Sequence, residues 1–199
     1  MNRTYNVGIL LFDEAEVLDF AGPFEVFSIT RLPDGSNPFS VRMVAQQNRL
    51  IKARNGLLVQ PHHTFSDMPE VDVFLVPGGY GAEHIEIHNE TLLRFIRETA
   101  AKTPLTVSVC TGAFLLAQAG LLDGKRATTH WMDIEALQNQ FPKVQVQSGV
   151  RFVVVDEGGI MTSGGVASGI HMALHIVKKL LGQEVAEATA RRMEYEMTF

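Results

Sequence analysis

The chain contains a single cysteine, Cys110, set where a nucleophile would be. A short apolar run, Leu105 to Val109 (LTVSV), leads directly into Cys110-Thr111-Gly112, and a helical pattern follows. This is a tight strand-to-helix turn, the geometry that exposes a nucleophile at the carboxyl edge of a sheet. Ligands of open α/β sheets bind along that edge. The start of the following helix offers N–H groups without intrahelical partners and the positive end of a dipole. Both favour a thiolate, the reactive form of the side chain. Gly112 removes a Cβ from the crowded turn. A free cysteine is most often packing material; the strand–Cys–Thr–Gly–helix context is what makes Cys110 a predicted nucleophile.

Three further segments could complete a site. Val76-Pro77-Gly78-Gly79-Tyr80-Gly81 ends a second strand, and its exposed N–H groups could stabilise developing negative charge. Gly78, Gly79 and the adjoining Tyr80 are therefore predicted on the oxyanion and substrate side, although a simple glycine turn would read the same way. The glycine spacing is not that of a dinucleotide fingerprint, and no Walker A lysine follows. Val17-Leu18-Asp19-Phe20-Ala21-Gly22-Pro23 opens the first long helix. Asp19 could cap that helix or carry its carboxylate across the sheet edge to the Cys110 sulfur. Glu16 and Glu25 compete for that role and read as solvated. In Thr128-Thr129-His130-Trp131, His130 is either an active-site wall or a satisfied core histidine. His62-His63 and His84-Glu86-His88 lack a third ligand at fixed spacing, so no metal is expected, and no cofactor.

These residues need elements to position them. Val7 to Phe12, Val71 to Val76 and Leu105 to Val109 are short, nearly unbroken apolar runs, as in strands buried on both faces. Phe39 to Ala45 alternates and fits a strand nearer an edge. Arg151 to Asp156, Gly158-Gly159 and Ile160 to Thr162 read as a hairpin. Helical patterns cover Asp19 to Ile29, Thr91 to Ala101, Thr111 to Leu122, Ile134 to Phe141, Ile170 to Leu181 and Val185 to Met193. Strand and helix in alternation predict a parallel sheet with helices on both faces.

The 199 residues fit one domain spanning 1–199, large enough to bury roughly 70% of the unfolded surface. A net charge of −5 without clusters of Lys and Arg argues against a nucleic-acid partner. No apolar run approaches the ~20 residues of a membrane span. The N-terminal residues lack the pattern of a signal peptide, and one cysteine cannot form an internal disulfide. A cytoplasmic protein acting on a small molecule is expected.

VPGGYG, VSVCTGAFLLAQAGLLDGKRATTHW and LDFAGPFEVF together resemble the ThiJ/PfpI superfamily of class I glutamine-amidotransferase-like proteins, from about Val7 to Glu196. The chain is similar both to the isocyanide hydratase branch and to the cysteine-bearing domain of AraC-type regulators. The resemblance implies a flavodoxin-like three-layer sandwich, a mostly parallel central sheet flanked by helices, usually as a homodimer. In isocyanide hydratases the aspartate of the LD-x-x-GP motif meets the cysteine, which implies catalytic roles for Asp19 and Cys110. Thr111 also matches that branch. Intracellular peptidases of the superfamily carry a histidine directly after the cysteine, so Thr111 argues against a Cys–His protease. Seventeen residues, Gln183 to Phe199, follow the last core helix, so a second, DNA-binding domain is not expected. The activity implied is hydration of an isocyanide to an N-substituted formamide. The alternatives are a non-catalytic redox or metabolite sensor using Cys110, and a hydrolase of small amides or aldehyde adducts.

Overall fold

A computed structural model describes residues 3–155 and 159–197. In chain order the elements are β1 (Tyr5–Leu10), α1 (Val17–Ile29), β2 (Phe39–Ala45), β3 (Ile51–Lys52), β4 (Leu58–Val59), β5 (His63–Thr64) and β6 (Val73–Val76). Then come α2 (Tyr80–His84), α3 (Glu90–Ala100), β7 (Leu105–Val109), α4 (Gly112–Gln118), β8 (Arg126–Ala127), α5 (Ile134–Gln140) and β9 (Gln145–Val146). The described part ends with β10 (Phe152–Val155), β11 (Ile160–Ser163), α6 (Ser168–Leu181) and α7 (Gln183–Arg192).

Seven strands form the central sheet in the order β10-β11-β7-β6-β1-β2-β5. Every pairing is parallel except β10 with β11. The five strands β2-β1-β6-β7-β11 follow the 2-1-3-4-5 order of flavodoxin-like folds. Helices α1, α6 and α7 cover one face, and α2, α3 and α4 cover the other. The expected three-layer sandwich is the observed one. The strands between these layers read as continuous apolar runs because neither face meets water: Val7, Ile9, Val73, Phe74, Leu75 and Val107 are buried. The expected hairpin is present as β10 and β11; its turn, including Asp156 and Gly158, lies outside the described residues.

The chain runs from β1 to β2 on one side and later places β6 on the other side of β1. The crevice at such a switch point is where ligands of open α/β sheets sit. Two details of α1 bear on it. The helix begins at Val17, not at Asp19, so Asp19 lies inside the first turn and does not cap it. Pro23 is within the helix, and its missing N–H leaves the Asp19 carbonyl without its usual i+4 donor. Helices α1 and α6 approach closely: a Cβ on Gly22 would stand 2.8 Å from Ile170. That contact locks the Asp19 turn against the element that follows β11. Helix α4 is shorter than the Thr111 to Leu122 pattern, since Gly120, with φ +78°, ends it.

Candidate active site

Cys110 follows β7 directly and adopts φ +56°, the left-handed region. For a residue with a Cβ this costs about 1–2 kcal/mol, so the surroundings must hold it. They do so from both sides. Its N–H donates to the carbonyls of Ser163 and Gly164 at 3.1 and 3.2 Å, and its carbonyl accepts from Thr129 Oγ1 at 2.9 Å. Gly112 is required here, because a Cβ on it would lie 2.3 Å from the Val76 carbonyl oxygen. The tight elbow expected from the sequence is present.

Asp19 is fully buried. Its carboxylate accepts from the Gly78 N–H at 3.1 Å on one oxygen and from the Val166 N–H at 3.2 Å on the other. The Cys110 side chain is among the groups that act on its titration. Burial pushes its pKa up to about 7; the Glu16 charge adds to the rise, and the hydrogen bonds from Gly78, Val166 and Cys110 oppose it. Asp19 and Cys110, expected from the sequence to meet, act on each other's titration. Glu25 is exposed, whereas Glu16 is half-buried and acts on Asp19 through its charge.

The expected thiolate is opposed by its surroundings. Burial pushes the Cys110 thiol up, and the neighbouring Asp19 charge pushes it further. The Thr111 N–H and hydroxyl pull the other way without winning. Cys110 is only 6% exposed, and desolvation outweighs the opposing hydrogen bonds from Thr111.

A correction concerns the glycine turn. The Gly78 N–H is taken by Asp19 and the Gly79 N–H by the Thr111 hydroxyl at 2.9 Å. Neither is free to bind an oxyanion; both position the acid and the threonine. The turn must lack side chains for steric reasons. A Cβ on Gly78 would come within 2.5 Å of the Thr111 nitrogen, and one on Gly79 within 2.4 Å of the Glu16 nitrogen. Tyr80 is 46% exposed and stacks on His84 with ring centroids 4.2 Å apart, with Arg54 over its ring. Its ring is engaged at the surface and not at the sulfur. His130 lays its ring against Gly165, where a Cβ would stand 2.1 Å from His130 Cδ2, and its Nδ1 is 3.3 Å from Asp133. It forms a wall of a groove of about 970 Å³ that includes Thr129, Trp131, Met132, Gly164 and Val166. Among the described residues, no three His, Cys, Asp or Glu side chains converge on a metal position. No helix among them is long and apolar enough to cross a membrane.

Two positions escaped the sequence reading. Val166 has φ +53°, a genuine outlier for a β-branched residue, and its N–H fixes one oxygen of Asp19. Its only signal was Gly164-Gly165 closing another strand at the same edge. Glu83, one turn beyond the glycine turn, donates its N–H to the Gly79 carbonyl at 3.4 Å; its signal was that spacing alone.

Residues 5–179 match the DJ-1/PfpI family, and the chain belongs to that family. An isonitrile hydratase from Pseudomonas putida is 38% identical over 189 residues, which cover 95% of this chain and 78% of the relative. The HTH-type transcriptional regulator GbdR from Pseudomonas aeruginosa is 28% identical over 96% of this chain, a match that takes in 51% of the regulator. A ThiJ/PfpI family protein from Pseudomonas syringae superposes with a TM-score of 0.85 at 28% identity, over 98% of this chain and 77% of that one. DJ-1beta from Drosophila melanogaster shares the fold, with a TM-score of 0.81 at 19% identity over 98% of this chain and all of that one.

Proposed function

We propose that the protein hydrates an isocyanide to an N-substituted formamide. The observation that carries this reading is the buried Asp19 carboxylate, held by two backbone N–H groups, together with the left-handed Cys110 on its elbow. The Cys110 sulfur attacks the terminal carbon of R–N≡C while Asp19 takes the thiol proton. Asp19 then delivers that proton to the same carbon, giving the thioimidate R–N=CH–S–Cys. Asp19 takes a proton from water as the water adds to that carbon, and passes the same proton to the nitrogen, giving R–NH–CH(OH)–S–Cys. Collapse of the adduct releases R–NH–CHO and returns the thiol. Every proton is accounted for, and no oxidant or cofactor enters. A carboxyl group with a pKa of about 7 suits both halves, since it accepts and returns a proton at neutral pH with little penalty. The Thr111 N–H and hydroxyl face the sulfur and support the charge as it forms.

The redox-sensor alternative is less well supported. Sensor cysteines are exposed and of low pKa, whereas Cys110 is buried and its thiol is pushed up. The reading includes a homodimer, which light scattering at about 10 µM tests against a monomer. The activity is tested by incubating an alkyl isocyanide with the wild type and with Cys110→Ala. Formamide from the wild type alone is the expected result. Equal rates in both, or no product from the wild type at high enzyme, overturns the assignment.

A further inference from the structure

A residue with a Cβ stays left-handed only while its two peptide groups are held from outside. On the amino side of Cys110 the holders are main-chain carbonyls, those of Ser163 and Gly164, whatever side chains those residues carry. On the carboxyl side the Cys110 carbonyl accepts the Ala113 N–H at 3.3 Å, a long contact in the first turn of α4, and the Thr129 hydroxyl at 2.9 Å. The shorter of the two bonds thus comes from a side chain. Thr129 is buried and is itself mounted on the central sheet. The N–H of its neighbour Thr128 donates to Thr162 Oγ1 on β11 at 2.8 Å. Thr162 is in turn paired with Ser108, two residues before Cys110 on β7. On the other side of Thr129, the His130 ring lies against Gly165. The hydroxyl therefore reaches the elbow from a segment clamped to the adjoining strand. Thr128 is buried as well, but its own hydroxyl goes to the Gln147 carbonyl at 2.8 Å and not to the elbow.

We infer that Thr129 is a positioning residue of the nucleophile: its hydroxyl pins the Cys110 carbonyl, keeps the elbow left-handed and so fixes where the sulfur points. Without the hydroxyl the carbonyl keeps only its long bond to Ala113. The elbow then relaxes toward the ordinary negative φ of a residue with a Cβ, and the side chain swings with it. The inference deepens the reading above in one respect only: it rests on Cys110 being the reactive sulfur, not on an isocyanide being the substrate.

Cys110 is the only cysteine, so iodoacetamide reads this sulfur alone, while an alkyl isocyanide reads turnover. Four variants are compared with the parent. Thr129→Val and Thr129→Ala lose the hydroxyl, Thr129→Ser keeps it, and Thr128→Val loses the neighbouring buried hydroxyl instead. Burial pushes the Cys110 thiol up, so an elbow that relaxes and lets the sulfur out alkylates faster at pH 8. The expected gain is about threefold or more, half a pKa unit, in Thr129→Val and Thr129→Ala. Thr129→Ser and Thr128→Val should stay close to the parent. Turnover should move the opposite way, with kcat about tenfold lower or more in the same two variants and KM unchanged. A gain in Thr128→Val as large as in Thr129→Val is general loosening and overturns the inference. Alkylation at the parent rate in both hydroxyl-free Thr129 variants also overturns it. Thermal melting checks that each variant is folded at the assay temperature, and alanine stands in where valine does not fit. No formamide from any form of the protein would end the hydration reading and leave alkylation to decide the role of Thr129.

Discussion

Along β1, β6 and β7, Val7, Ile9, Phe74, Leu75 and Val107 are buried in regular extended backbone. A few residues past the carboxyl ends of β1, β7 and β11, Glu14, Cys110 and Val166 adopt φ of +59°, +56° and +53°. The buried carboxyl group of Asp19 lies among them. The middle of the sheet follows every local preference, and its edge violates several together. Backbone strain of this kind costs about 1–3 kcal/mol at each position and persists only where the surroundings over-determine it. Here hydrogen bonds to Cys110 from two elements and the twofold grip on Asp19 supply that constraint. The core is arranged for stability; the edge gives up some of it to hold an acid beside a sulfur.

This contrast can be broken from either side. Asp19→Asn should lower isocyanide hydration about 10²–10⁴-fold without destabilising the fold at pH 8, as enzyme assay and thermal melting would show. If Asn instead unfolds the protein while the folded fraction keeps its turnover, Asp19 is a core polar group and the contrast fails. Phe74→Ala should do the opposite. It should cost about 3–5 kcal/mol of stability, measured by denaturant unfolding, with turnover per folded molecule unchanged. Val166→Gly sharpens the comparison. Glycine relieves a positive φ worth about 1–2 kcal/mol and returns about 0.5–1 of it as chain entropy. The fold should therefore gain slightly, while turnover falls because one oxygen of Asp19 is held less firmly.

The smallest effect is a pH dependence of stability. The Asp19 pKa is raised in the folded state, from 3.8 to about 7, so the folded protein binds this proton more tightly than the unfolded chain. Its contribution therefore favours the fold at low pH and is lost as pH rises through about 7. His62, His171 and His175 are held below their ordinary value by burial and act in the opposite direction. The informative quantity is the change in melting temperature between pH 6 and 8 in the wild type minus that in Asp19→Asn. A negative difference is expected; zero would mean that Asp19 is ionised throughout.

Much of the fold was legible because its signals are local. The apolar runs at Val7, Val73 and Leu105 become strands, and the alternating Phe39 to Ala45 segment lies one strand in from an edge. The two-residue strands at His63-Thr64, Ile51-Lys52 and Leu58-Val59 were missed, since two residues carry no periodicity. Cys110 and Gly112 were readable as an elbow because the turn is built from consecutive residues. The roles of Gly78 and Gly79 were half readable: the need for small residues was evident, but the destination of their N–H groups was not. The ring partners of Tyr80 and His130, namely His84, Arg54 and Gly165, were not legible because packing fixes them.

The sequence by itself determined the layered α/β architecture and the position of one sulfur at the end of a buried strand, since hydrophobic pattern and turn chemistry act over a few residues. Only the tertiary structure decided that Asp19 would be stripped of water, gripped by Gly78 and Val166, and set against that sulfur. It also decided that burial would push the thiol up. Desolvation and hydrogen bonding between residues far apart in the chain depend on which surfaces close over them, and no local pattern specifies that.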